Sequence, residues 1–155
     1  MSRRFLIGVV FLAAAALPAP AKPNFSGDWK VDLSKSEFGQ MPAPNSMTIK
    51  VTHAEPKVTS ATRMASDMGE FEINATYTTD GKETTNQGAG GGTTTSTAKW
   101  DGDALIISTK GRFGDNDFTM TEKWTLSEDG KTITIDRTFH SAMGDAAQKL
   151  ILTKQ

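Results

Sequence analysis

The chain has 155 residues with no cysteine and two histidines, and a formal charge of −1 from 17 basic and 18 acidic residues. Without cysteine there is no disulfide framework, thiolate metal site or cysteine nucleophile, and two histidines exclude a histidine cage. The near balance of charge argues against nucleic-acid binding through a basic surface, and the 37% hydrophobic content suits one globular domain.

The chain opens with Arg3 and Arg4, an uncharged apolar run from Phe5 to Leu17, and then Pro18-Ala19-Pro20-Ala21 before Lys22. This order is that of a three-part secretory signal, and its apolar run is too short for a permanent membrane span. Ala19 and Ala21 suit the −3 and −1 subsites of a signal peptidase, so cleavage is expected after Ala21. The expected division is residues 1–21 as signal peptide and 22–155 as the mature domain, exported to the periplasm or the medium. No cysteine follows the run to carry a lipid anchor, and no membrane insertion is expected after cleavage. Loss of Arg3 and Arg4 leaves 15 basic against 18 acidic residues, a charge of −3, which suits neither nucleic acid nor an anionic membrane.

The mature part reads as a succession of short strands. All 21 threonines follow Lys22, and threonine suits the solvent face of a strand. Apolar and polar residues alternate in Met47 to His53, in Phe71 to Tyr77 and in Phe118 to Leu126, and the same period of two continues through Ile133, Ile135 and Phe139. Asp80-Gly81, Asp101-Gly102 and Asp129-Gly130 separate such runs, and Asp-Gly is a strong hairpin signal. The pattern predicts about ten strands near 28–33, 46–53, 57–64, 70–78, 82–87, 93–100, 104–111, 117–126, 131–139 and 147–154. Ser34 to Asn45, with Pro42 and Pro44, reads as a loop, and Gln87 to Gly92 as a glycine-rich tip. A meander of amphipathic strands without covering helices hides its edges by closing, so the predicted fold is all-β, an antiparallel up-and-down barrel of 8–10 strands. A two-sheet sandwich is the other arrangement compatible with the pattern.

Phe25-Ser26-Gly27-Asp28-Trp29-Lys30 resembles the first-strand Gly-x-Trp signature of lipocalins and the opening of fatty-acid-binding proteins, both calycin barrels. Asn24 to Phe38 with Met41-Pro42-Ala43-Pro44 looks like small exported bacterial proteins of lipocalin-like type. The resemblance implies a barrel that holds small hydrophobic molecules, in which Gly27 and Trp29 form a barrel-closing motif. It also implies a basic partner over the Trp29 ring, either Arg137 or Lys154. It does not extend to the helical lid of fatty-acid-binding proteins, for which Ser34 to Asn45 is too short, nor to their terminal Arg-x-Tyr pair, which the chain lacks.

Two charged residues fall on the apolar face. Alternation points Glu122 and Arg137 inward, and a turn at Asp129-Gly130 makes them direct cross-strand neighbours. They read either as the polar floor of a cavity that fixes a ligand head group or as a structural ion pair. His53 and Tyr77 end two inward faces and are expected near the rim. Met120, Trp124 and Phe71, with Met47, Met64, Met68, Trp100 and Phe118, are candidates either for an adaptable cavity wall or for a filled core.

No nucleophile elbow is present, the two histidines lie on separate segments, and Glu122 has no second carboxylate at a catalytic spacing. Asp101-Gly102-Asp103 and Asp115-Asn116-Asp117 lack the remaining ligands of a calcium loop. The expectation is a non-enzyme with no cofactor and no metal, which binds, carries or sequesters a small hydrophobic or amphiphilic molecule. Its expected ligand-binding residues are Arg137, Glu122, Tyr77, His53, Trp124, Met120 and Phe71. The alternative is a filled barrel acting through its outer surface, and a cavity of about 300 Å³ or more separates the two.

Overall fold

Period-two patterning gives ten strands in the computed structural model, which describes residues 17–155. The predicted signal segment therefore lies outside the described residues as far as residue 16. The strands are β1 (Gly27–Val31), β2 (Ser46–Ala54), β3 (Lys57–Ser66), β4 (Gly69–Thr78), β5 (Thr84–Gln87), β6 (Thr93–Asp101), β7 (Ala104–Phe113), β8 (Asn116–Leu126), β9 (Thr132–Ser141) and β10 (Gly144–Lys154). The largest shift from expectation is three residues, at the start of β10. There Ala146 and Ala147 carry little intrinsic strand preference, and pairing with Phe139 and Thr138 holds them extended.

All pairs are antiparallel and belong to one sheet, in the order β4-β3-β2-β1-β10-β9-β8-β7-β6-β5. This is the up-and-down barrel, not the two-sheet sandwich. The pairing of β1 with β10 brings the chain ends together, and a seam remains between β4 and β5. Asn86 bridges it: the Thr76 N–H donates to Asn86 Oδ1 at 2.7 Å, and Asn86 Nδ2 donates to the Thr76 carbonyl at 3.0 Å. A side-chain amide thus stands in for a strand partner where β5, only four residues long, is too short to supply one.

Successive hairpins open at opposite ends of the barrel. At one end lie the turns near Pro56, Gly81, Gly102 and Gly130, together with the segment before β1. Phe25 crosses this end and is fully buried, stacking on His53 at 5.9 Å and on Trp100 at 6.0 Å and meeting Trp124 edge-on at 5.8 Å. Trp29 lies beside it, with its indole N–H donating to the Phe25 carbonyl at 2.9 Å. Of the two basic candidates, Lys154 takes the place over Trp29, its ammonium 5.6 Å from the ring centroid. Leu105, Ile107, Ile133, Ile135, Leu150 and Leu152 complete a dry plug. The Ser34 to Asn45 stretch is indeed a loop, docked on β10 by paired Glu37 and Lys149 backbone bonds of 2.7 and 2.8 Å.

Candidate functional site

The plug stops halfway because inward side chains change size along the strands. On β7 they run Leu105, Ile107, Thr109, Gly111, and on β6 they run from Trp100 and Ala98 to Ser96 and Thr94. Ala75 and Ala146 continue the trend on β4 and β10. The space they leave is a cavity of about 480 Å³, mainly apolar, in the other half of the barrel. Ile73, Phe118, Met120 and Phe139 give its walls, and Met41, Gly88, Phe113 and Met143 its mouth. Phe118 and Phe139 stack at 5.1 Å, and Gly111 leaves the room in which the Phe118 ring rests.

At the base of this cavity Glu122 lies between Met120, which lines it, and Trp124, which belongs to the plug. The register pairs Glu122 with Arg137 across β8 and β9. Arg137 donates Nε to Glu122 Oε1 at 2.8 Å and Nη2 to the same oxygen at 2.6 Å, while Nη1 donates to Gln148 Oε1 at 3.1 Å. The Glu122 side chain is 4% exposed and that of Arg137 22%, so the guanidinium faces the cavity with the carboxylate beneath it. Such a charge-assisted, two-pronged pair fixes the Arg137 orientation. Tyr77 also sits at the base. Burial, then the charge of Glu122, push its phenol above the ordinary range against the opposing pull of Arg137 and a hydrogen bond with Ser60, so it remains a neutral hydroxyl. The Ser96 and Thr109 hydroxyls satisfy each other at 2.8 Å.

Arg137, Tyr77 and Met120 line the cavity, and Glu122 supports it through Arg137. Three other expected ligand residues do not meet there. His53 does point inward, but at the plugged end: the Phe25 N–H donates to its Nδ1 at 3.2 Å, and its Nε2 faces Glu55 Oε1 at 2.8 Å. Trp124 is 3% exposed within the plug, and its Nε1 meets no hydrogen-bond partner among the described residues. Phe71 is 41% exposed, because this half of β4 extends past the short β5 and has no neighbour to cover it. It lies on a separate groove with the exposed, polar Thr48, Arg63, Glu70 and Glu72. Tyr77, though it does line the cavity, is at its base and not at a rim. Of the wider aromatic and methionine set, Phe118 joins Met120 in the cavity, whereas Met47 is core and Met68 is exposed. Sequence reasoning missed Asn86, Ser96, Thr109 and Gln148. The signal was present as inward positions turning small or polar towards one end of neighbouring strands.

Among the described residues no cluster of three His, Asp or Glu side chains could hold a metal ion. Neither a family model nor a curated protein sequence matches the chain. Solved structures share its fold. Zebrafish ileal bile acid-binding protein, complexed with cholic acid, superposes with a TM-score of 0.60 at 15% identity, covering 84% of this chain and 98% of that one. A secretory abundant heat soluble protein from Ramazzottius varieornatus gives 0.58 at 13% identity, covering 84% and 94%. The fatty-acid-binding protein of Manduca sexta gives 0.52 at 15% identity, covering 84% and 99%. The likeness is one of fold alone, a barrel of antiparallel up-and-down strands.

Proposed function

We propose that this barrel binds a small hydrophobic or amphiphilic molecule in its unplugged half and carries or sequesters it outside the cytoplasm. The observation that carries this reading is the mainly apolar cavity of about 480 Å³ with one charged pair at its base. A volume of that order is what small-molecule sites use, and it favours a carrier over a filled barrel acting through its exterior. The fold neighbours include proteins that bind bile acids and fatty acids, not enzymes, which supports a non-catalytic role in the same broad ligand class. Arg137, supported by Glu122 and Gln148, would orient the polar end of the ligand, and the walls around Met120, Phe118 and Phe139 would hold its body.

Export rests on the N-terminal sequence. Residues 17–21 are exposed, whereas the Lys22 ammonium reaches the Gly102 carbonyl at 2.7 Å and lies 5.5 Å from the Trp100 ring. The exposure of residues 17–21 is compatible with cleavage after Ala21, and Lys22 is the first residue of the described segment to contact the barrel through its side chain. Native mass spectrometry of protein exported from a bacterial host, before and after organic extraction, tests both parts. The expected result is a chain starting at Lys22 with a removable adduct of a few hundred daltons. A bare mass that stays bare after incubation with host lipid extract would remove the carrier reading.

A further inference from the structure

The charge at the base of the cavity is already spent. Arg137 places two N–H groups on Glu122 Oε1 and a third on Gln148 Oε1. Arg112, the other charged side chain lining the cavity, is at the mouth and pairs with Asp117 at 2.8 Å. Every remaining polar side chain of the lining, from Tyr77, Asn86, Gln87, Thr94, Ser96, Thr109 and Gln148, is uncharged. The cavity therefore offers an arriving anion no unpaired cation among the described residues. An anionic head seated at Arg137 would place a second negative charge beside Glu122, where water is scarce and like charges repel strongly. To take Glu122's place it would have to strand a carboxylate that is 4% exposed. A cationic head would face the guanidinium itself.

An uncharged head meets neither penalty. A guanidinium has five N–H donors, of which Arg137 uses three here, so two remain for a hydroxyl or carbonyl oxygen. A hydroxyl proton has an acceptor in the Gln148 side-chain oxygen, which lines the cavity. We infer that the cavity selects a neutral amphiphile, an apolar body ending in an alcohol, amide or ester, over a carboxylate with the same body. This rests on the carrier reading above and names the head-group chemistry within it.

The test is displacement of the neutral fluorescent probe N-phenyl-naphthylamine from the delipidated mature protein at neutral pH. The competitors are dodecanol, methyl dodecanoate and dodecanoate. Dodecanol and the ester are expected to bind at least about tenfold more tightly than dodecanoate. Glu122→Gln keeps the side-chain shape, removes the negative charge and frees the guanidinium. In that variant dodecanoate should gain about tenfold while dodecanol changes by less than about threefold. This comparison between proteins cancels the hydration of the ligands themselves. An acid that gains nothing in E122Q overturns the inference. Should E122Q not fold, the wild type decides alone, since dodecanoate binding as tightly as its methyl ester overturns it too. A protein that takes up neither probe nor any competitor fails at the carrier reading, and the head-group inference falls with it.

Discussion

Glu55 ties together groups that come from four places in the chain. It accepts from the Thr79 hydroxyl and from Trp100 Nε1 at 3.1 Å, and it faces His53 Nε2 at 2.8 Å, while His53 in turn holds the Phe25 N–H. Partial burial pushes the Glu55 carboxyl up, but the hydrogen bonds from Thr79, His53 and Trp100 outweigh it and hold the group below its ordinary value of 4.5. A carboxyl lowered on folding stabilises the fold above its ordinary value, and that contribution fades as pH falls through the lowered one. Glu55→Gln should therefore be less stable than wild type at neutral pH by about 1 kcal/mol, at the low end for a charged acceptor because the side chain is 46% exposed. The gap should close in urea melts taken below pH ~4.5, as the wild-type carboxylate takes up its proton. A gap constant across the acid range would show that the charge of Glu55 contributes nothing. The inward direction of His53 was legible from alternation, and so was the neighbourhood of Glu122 and Arg137. What filled the space around each was not legible, because Phe25 lies outside every strand and no periodicity announces where it folds.

At the scale of elements, the hairpins at Asp101-Gly102 and Asp129-Gly130 were the most legible feature, since each turn joins two paired runs of period two and fixes their register, whereas Asp80-Gly81, expected to be a hairpin as well, turns between β4 and β5 without pairing them. The seam was not legible. Thr84-Thr85-Asn86-Gln87 reads as another strand, and only the closed sheet shows that β4 and β5 meet through one amide side chain. Asn86→Ala would leave both backbone groups of Thr76 without that partner. The expected cost is about 1–2 kcal/mol, because the half-buried site admits some water. The Thr76 amide should also exchange its hydrogen faster than its neighbours on β4. Thr85→Ala, on the exposed face of the same strand, should stay within about 0.5 kcal/mol of wild type. Equal melting of the two variants would mean that the seam is held by its ends and not by Asn86.

Over the whole molecule, the barrel divides into a plug that supplies stability and a cavity that forgoes it, and the link between β1 and β2 belongs to both. Glu37 fastens the link to β10, and four residues later Met41 lies at the mouth with its sulfur 3.4 Å from Gln148 Nε2, beside the residue that Arg137 holds. Gly39 makes this course possible. Its φ is +61°, and a Cβ there would stand 2.4 Å from the Ala147 carbonyl oxygen. Gly114, in the turn between β7 and β8, shares the φ of +61°, but a Cβ there would meet nothing within 4 Å. Ala at Gly114 should therefore cost only the left-handed conformation, about 1–2 kcal/mol. Ala at Gly39 carries that cost and must also push the link off β10. Gly39→Ala should consequently melt below Gly114→Ala, and it should release a bound neutral probe several-fold faster in stopped-flow dissociation, because Met41 leaves the mouth with the link. If the two variants release the probe at the same rate, the link is a structural strap alone, and passage into the cavity is set by the other mouth residues, Phe113 and Met143.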